Sequence, residues 1–172
     1  KSSLAVDCGS FAIYGDQVSD SRGEASGGGG GIYGITVQNC YGSSNNNGNG
    51  ISANTALNCT SYSASGYGLS AITALNCSGT CGSGSYGLTA NTAQNCSGAA
   101  NGIGSFGIYA NTAQNCFGTS GTGTGLYASD LAIGCRGSST SGTGLSAYIA
   151  NSCRGTSTAG TAQSITYKYN MP

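Results

Sequence analysis

The hydrophobic and polar residues of this chain form a phrase that returns every 18 to 20 residues. Each copy opens on an isoleucine or leucine, continues through small apolar residues and ends on a cysteine. The full copies are residues 32–40, 51–59, 69–77, 88–96, 108–116, 126–135 and 145–153. A fixed period of about this length is typical of solenoids, in which each unit buries its apolar face only against its neighbours.

Within the phrase, apolar and polar residues alternate with the period of a β-strand. The first position holds only branched aliphatic residues, and the position two places later holds only glycine or alanine, so both are predicted to face inward. A further inward position runs from Val18 to Ala150. Equivalent residues of successive coils should stack about 4.8 Å apart. The leading aliphatic column is Ile13, Ile32, Ile51, Leu69, Leu88, Ile108, Leu126 and Leu145.

The residue before each cysteine is usually asparagine, which tolerates a left-handed backbone. This position is predicted to be a corner between two strands, with amide side chains that bond from coil to coil. We expect asparagines and cysteines to form an interior ladder. Its predicted members are Asn39, Asn58, Asn76, Asn95, Asn115, Cys40, Cys59, Cys77, Cys96, Cys116, Cys135 and Cys153.

The same alignment extends the repeat to both ends of the chain. It identifies a degenerate coil at residues 11–23 and a partial coil that ends at Asp7 and Cys8. The prediction is therefore an all-β, single-domain parallel β-solenoid of about nine coils, roughly 40 Å long. Residues 1–30 hold degenerate coils and a glycine-rich loop, residues 31–155 the regular coils, and residues 156–172 a final coil or cap.

The cysteines leave several structures open. A column of buried thiols is one, because free cysteine packs as a small hydrophobic residue. Disulfides between adjacent coils are another, since a spacing near 4.8 Å lies within the usual Cα range. No metal site is predicted, because zinc sites need four converging ligands rather than a row. Cys81 lies outside the column and is expected to behave differently.

The repeated form Gly-Ile/Leu-x-Ala, a turn, then Ala-x-Asn-Cys resembles the right-handed parallel β-helix repeat of pectate-lyase-like and bacterial or phage surface proteins. The resemblance covers residues 5–155. Enzymes of that fold use acidic, basic or histidine side chains on the coil exterior, and this chain departs from them at each such position. The resemblance thus implies a non-enzymatic member of this fold.

The amino-acid composition excludes several further classes of function. Charged residues make up only 6% of the chain, histidine is absent, and no charge occurs from Ala25 to Ser129. We therefore predict no catalytic residues and no cofactor, since only Asp16, Asp20 and Glu24 could cluster. The chain has no basic cluster for nucleic acid and no apolar run for membrane insertion. Because it starts with Lys1, we expect a processed product or a fragment.

The charges are concentrated at the two ends. An acidic first part and a basic last part could meet head to tail and form a filament, with residues 165–169 as the final strand and edge. The ends could instead join other modules of a longer surface protein, or the charges could simply discourage aggregation. The candidate end contacts are Asp7, Asp16, Asp20, Glu24, Arg136, Arg154 and Lys168.

These features predict a non-enzymatic structural rod, extracellular or on a cell surface. An adhesin or carbohydrate-binding module is an alternative, because aromatic side chains suit glycan contacts. Its candidate residues are Tyr14, Tyr33, Tyr109 and Tyr127, with Tyr67, Tyr86 and Phe106 at the start of their coils. Ice binding is a third hypothesis, suggested by a column of hydroxyl groups at Thr36, Thr55, Thr73, Thr92 and Thr112.

Overall fold

A computed structural model describes residues 2–171 of this chain. Within them the chain forms eighteen strands and no helix, so the predicted all-β solenoid of about nine coils is confirmed. The strands are β1 (Leu4–Cys8), β2 (Ile13–Ser19), β3 (Arg22–Ala25), β4 (Ile32–Gln38), β5 (Tyr41–Ser44), β6 (Ile51–Leu57), β7 (Thr60–Ser63), β8 (Leu69–Leu75), β9 (Ser78–Cys81), β10 (Tyr86–Gln94), β11 (Ser97–Ala100), β12 (Phe106–Gln114), β13 (Phe117–Ser120), β14 (Thr124–Ile133), β15 (Arg136–Ser139), β16 (Leu145–Asn151), β17 (Arg154–Ser157) and β18 (Gln163–Tyr169).

The strands build two parallel sheets that run the length of the molecule. The odd-numbered strands form a sheet of nine, mostly short, strands, and the even-numbered, longer strands form the second sheet of nine. Pairing is in register from coil to coil; Ile32 pairs with Ile51, and Ile51 pairs with Leu69. The aliphatic residues that open each phrase are therefore stacked, and from Ile32 to Leu145 their side chains are buried.

Two residues connect each long strand to the following short one, and the first of them has a left-handed backbone. Asn39, Asn58 and their equivalents have φ angles near 50°, and Gly134 has a φ of 61°. These are left-handed backbone conformations, which cost most residues energy. Asparagine tolerates them, and glycine adopts them freely because it has no Cβ atom. The predicted corner is thus present, and its sharpness explains why Asn and Gly recur there.

The interior is thin because glycines let the two sheets approach closely. A Cβ atom added to Gly98 on β11 would collide with the carbonyl oxygen of Gly107. The same collision occurs between Gly118 and Gly125. The core therefore consists of single columns of side chains rather than interdigitated layers.

The first coil departs from its predicted register. Asp7 and Cys8 imitate the Asn-Cys corner, but Cys8 pairs with Ala25 at the end of a short strand. The backbone N–H of Arg22 donates to the carbonyl of Ser3, which places Ser3 at the cysteine position of this coil. An extra residue in β1 shifts the register, and Asp7 takes its positive φ within that irregularity. The predicted partial coil ending at Asp7 and Cys8 is wrong in this respect.

The last coil replaces inward-facing apolar residues by polar ones. Gln163 pairs with Leu145, and Lys168 pairs with Ala150, so each continues an interior column. Lys168 is exposed, and within residues 2–171 no coil stacks on the outer side of β18. The predicted final strand, residues 165–169, lies within β18, which begins two residues earlier.

Candidate functional site

The asparagines of the corners form a hydrogen-bonded ladder. Each side-chain N–H donates to the side-chain oxygen one coil earlier: Asn58 to Asn39 at 3.1 Å and Asn76 to Asn58 at 3.1 Å. The ladder continues to Asn115, and at its other end Asn39 donates to Asp20 at 3.0 Å. The predicted asparagine stacking is confirmed.

The ladder lies on the outside of the solenoid, however, and its prediction as an interior feature is wrong. All five asparagine side chains are exposed, whereas the cysteines that follow them are buried. The left-handed residue adds one extra outward position to the strand alternation, so Gln38 and Asn39 both point outward before Cys40 turns in. The ladder ends at Gly134, where an added Cβ would lie 2.6 Å from the side-chain oxygen of Asn115.

Seven cysteines form the feature that we call the thiol column. All are free and buried, with exposed fractions from 0 to 4%. Each sulfur donates to the carbonyl oxygen two residues earlier, over 3.0 to 3.3 Å. Because this contact repeats in every coil, all seven side chains share one orientation. The column consists of Cys40, Cys59, Cys77, Cys96, Cys116, Cys135 and Cys153.

The surroundings of the thiol column are uncharged backbone and aliphatic groups. Cys59, for example, also lies 3.4 Å from the carbonyl oxygen of Val37 in the preceding coil. The neighbouring thiols and burial raise the pKa of Cys77 and Cys116. Cys77 and Cys116 are therefore protonated thiols at neutral pH.

Cys81 belongs to a different column, on the short-strand sheet. Its sulfur donates to the carbonyl of Gly66 at 2.9 Å and accepts from the N–H of Gly84 at 2.9 Å. Ser63, which pairs with it, makes the same two kinds of bond with its hydroxyl group. Cys81 thus replaces a serine, and burial raises the pKa of its thiol.

The remaining chemistry-bearing residues do not converge. Within residues 2–171, no group of three or more histidine, cysteine or acidic side chains is arranged around a common point for a metal ion. The thiol column is linear, as its spacing in the sequence predicted. A site that needs three or four protein ligands is therefore not formed by the described residues.

The candidate aromatic residues fall into two groups on the outer face of the long-strand sheet. Tyr14 stacks on Tyr33 with ring centres 5.0 Å apart, near the first coil. Tyr109 stacks on Tyr127 at 4.9 Å, several coils away. Ser52, Ser70 and Thr89 occupy the same column between the two groups.

The second group is the larger. Tyr86 lies within 4.9 Å of Tyr67 and 5.2 Å of Tyr109, and Phe106 lies 5.8 Å from Tyr127, measured between ring centres. We call these five residues the aromatic strip. All are partly exposed, and burial raises the pKa of Tyr86. The strip offers a continuous apolar and hydroxyl-bearing surface across four coils.

The charged candidates are separated along the axis. Arg22 forms an ion pair with Glu24 and lies over the ring of Tyr41, 4.9 Å from its centre. At the other end, Arg136 pairs in register with Arg154 and lies 5.7 Å from the ring centre of Phe117. Asp7, Asp16 and Asp20 lie in the first coils and Lys168 in the last, so a single chain does not bring the acidic and basic groups together.

The threonine column is stacked as predicted, but it is not a uniform hydroxyl face. Thr36, Thr55, Thr73, Thr92 and Thr112 pair in register. Most are half-buried, and the column continues as Leu131 and Ile149. The exposed position beside it holds isoleucine in some coils and asparagine in others, as at Ile72 and Asn91.

A shallow groove along the corner was not predicted from the sequence. It runs between the asparagine ladder and the outward residues of the short strands, and one segment has a volume of about 450 Å³. That segment is lined by Asn58, Cys59, Thr60, Asn76, Cys77, Ser78, Asn95, Cys96, Ser97 and Asn115. Thr60, Ser78 and Ser97, which directly follow cysteines in this segment, were the only signal in the sequence for the second wall of the groove.

No protein-family description, curated protein or solved structure matches this chain. Among residues 2–171 there is also no helix of the length and hydrophobicity that a bilayer crossing requires.

Proposed function

We propose that this chain is a non-enzymatic structural rod, displayed outside the cell or on its surface. The observation that carries the proposal is the continuous parallel pairing of both sheets from the first coil to the last, in register except at irregularities in β1 and β14. Each coil is held to its neighbours by two parallel ladders and by shared interior columns, which is how solenoids gain stiffness. The resemblance to non-enzymatic β-helix repeats supports the same function.

The surface supports a passive role as well. No charged side chain occurs from Ala25 to Ser129, so the middle of the rod presents hydroxyl, amide and aromatic groups. Glycoside hydrolysis usually needs two carboxyl groups a few ångströms apart. Of the acidic residues near the first coils, Glu24 is held by Arg22 and Asp20 accepts from Asn39.

Hydrogen exchange combined with small-angle scattering tests the rod. We expect a single-chain particle with a long axis of roughly 40 Å. Backbone amides should exchange slowly and evenly through residues 31–155 and faster only in the end coils. Rapid exchange of a block of central coils, or a compact sphere of the same mass, would contradict a continuous rod.

The charge distribution of the sequence also predicted that rods could stack head to tail. Opposite charges at the two ends favour it. A second copy stacked in register on β18 would, however, bury Lys168 at an interior position, and burying a charge without a partner is costly. Inward-pointing charges on edge strands are a known protection against edge association. We therefore propose that Lys168 limits stacking and that the rod is monomeric.

The aromatic strip favours carbohydrate binding as a second candidate function. Sugars pack on aromatic side chains while their hydroxyl groups bond to neighbouring polar groups. On a glycan array, we expect binding that weakens at least tenfold when Tyr109→Ala and Tyr127→Ala are combined. Tyr148→Ala removes an exposed tyrosine outside the strip and serves as the control. Equal binding by all variants would remove the strip from consideration, and release of sugar products would contradict a non-enzymatic role.

A further inference from the structure

The thiol column packs in the core of the rod, but neither rod formation nor surface binding uses the metal-binding chemistry of its sulfur atoms. We propose that it binds thiophilic divalent d10 ions of the mercury(II) type, each ion held in line between the sulfurs of two successive coils. The sites are two-coordinate, so they need no convergence of three or four ligands.

The spacing of the sulfurs fits this coordination. All seven share one orientation, because each contacts the carbonyl oxygen two residues earlier at 3.0 to 3.3 Å. Successive sulfurs are therefore separated by the rise of one coil, about 4.8 Å. A d10 ion such as zinc bonds thiolate sulfur at about 2.3 Å, so two collinear bonds of that length span about 4.6 Å. An ion midway between two sulfurs therefore needs little movement of the coils.

The uncharged interior favours an ion whose charge is neutralised by two thiolates. Binding exchanges two thiol protons for one dication: M²⁺ joins two Cys–SH groups, forms two S–M bonds and releases two protons to water. The product is neutral, which matters because an uncompensated buried charge is costly. A monovalent silver or copper(I) ion between two thiolates would leave one negative charge inside. Soft thiolate ligands also select soft ions over calcium or magnesium.

Neutrality also limits the number of ions. A sulfur bonded to ions on both sides would add positive charge to the column, so each sulfur serves one ion only. Seven cysteines in a row then form at most three neighbouring pairs and leave one thiol over. We expect three ions per chain.

The groove along the corner provides a route to the column. Cys59, Cys77 and Cys96 contribute to its wall and are 1 to 3% exposed. No charged group lies near this segment of the groove. Small movements of the asparagine side chains, which are exposed, would admit an ion to the sulfurs behind them.

The test starts from a background protein in which only the thiol column remains. Cys8→Ser and Cys81→Ser remove the other two thiols. Serine already occurs at equivalent positions in both columns. In the column of Cys81, Ser63 makes the same two kinds of hydrogen bond. In the thiol column position, Ser21 donates to the carbonyl of Ser19 at 2.7 Å. The reduced, folded protein is titrated with mercury(II) chloride without oxygen. Native mass spectrometry counts bound ions, and a pH-stat counts released protons.

Single substitutions distinguish paired neighbours from general thiol binding. Replacing the second, fourth or sixth cysteine (Cys59→Ser, Cys96→Ser or Cys135→Ser) splits the row into two odd segments, which hold two ions in total. Replacing the first, third, fifth or seventh (Cys40→Ser, Cys77→Ser, Cys116→Ser or Cys153→Ser) leaves even segments, which hold three. Each variant loses one thiol, so the two sets control for each other, and circular dichroism verifies folding.

The expected result is three ions, two protons released per ion, and two sulfur neighbours by X-ray absorption in the background protein. The alternation between two and three ions should disappear in guanidinium chloride, where any two thiols can meet. The proposal is overturned by no binding, by the same count in every folded variant, or by three or four sulfurs around the ion.

Discussion

At the scale of the residue, the corner asparagine has two separate roles. Its backbone adopts a left-handed conformation, and its side chain bonds to the next coil. The amide bond is exposed to water, and such bonds contribute only about 0.5–1.5 kcal/mol each. The backbone conformation costs other residues roughly 1–2 kcal/mol. An inner asparagine takes part in two such bonds, so the conformational role and the ladder are of similar size at a single corner.

These two contributions predict different severity for two substitutions of Asn76. Asn76→Ala loses the ladder bonds to Asn58 and Asn95 and forces a left-handed alanine, so we expect about 2–5 kcal/mol lower free energy of unfolding. Asn76→Gly loses the same two bonds but keeps an easy backbone, as Gly134 does naturally, and should cost about 1–2 kcal/mol less than the alanine variant. Urea denaturation measures both. A glycine variant as unstable as the alanine variant would show that the ladder dominates.

A second residue-scale prediction concerns the aliphatic column. Leu88 is completely buried between Leu69 and Ile108. Leu88→Ala should lower the free energy of unfolding by about 2–5 kcal/mol, because a thin core has few atoms that can fill the cavity. Ile103→Ala removes a side chain that is 99% exposed and should change stability by less than about 0.5 kcal/mol. Similar values for the two variants would contradict the assigned interior.

At the scale of the element, strand pairing decides what a residue does. Lys168 would be an ordinary exposed lysine in a loop, but its pairing with Ala150 places it at the end of an interior column. Arg154, on β17 in the preceding coil, pairs with Arg136 and points outward. The two cations thus have equal charge and different expected effects on association.

The element-scale prediction follows from that difference. Lys168→Ala extends the apolar column to the open end, and we expect dimers or longer assemblies at concentrations where the unaltered chain is monomeric. Arg154→Ala removes the same charge near the same end and should leave the chain monomeric. Sedimentation velocity reports both. If the unaltered chain assembles and both variants weaken assembly, charge-driven head-to-tail stacking is the correct description.

At the scale of the whole molecule, the solenoid behaves as a row of equivalent units. Its stability is approximately a sum of coil and neighbour terms. Ser97 pairs with Ser78, so the chain that leaves Cys77 could continue at Ser97 without a change of register. Length is therefore an adjustable property of this rod.

Removal of residues 78–96, one coil, should give a folded and shorter protein. The urea m-value should fall by roughly one ninth, because it scales with the surface exposed on unfolding. Removal of residues 78–86, about half a coil, deletes β9 and leads Cys77 directly into β10 at Gly87, so one strand of the short-strand sheet is missing and the coils around the junction should not fold. Circular dichroism and urea titration compare the two. A half-coil deletion as stable as the full-coil deletion would contradict the strict register.

The fold was predictable because the same pattern of inward-facing residues and corner asparagines repeats in successive coils. An aliphatic column such as Ile32, Ile51 and Leu69 can recur at fixed spacing only if the coils stack, and the αL tolerance of asparagine marks the corner locally. The candidate site was less predictable. The side on which Asn39 projects depends on the direction in which the corner turns, and the division of the tyrosines into two groups depends on which coils lie between them.

The sequence by itself determined the period, the stacked columns and the position of the corners from Asp20 onward, because these follow from alternation and local backbone preference. Only the tertiary structure decided that the asparagine ladder faces water while the cysteines face inward, that Cys8 pairs with Ala25, and that Lys168 closes an interior column. The physical reason is that these properties depend on pairing between strands about 19 residues apart, which a short motif does not encode.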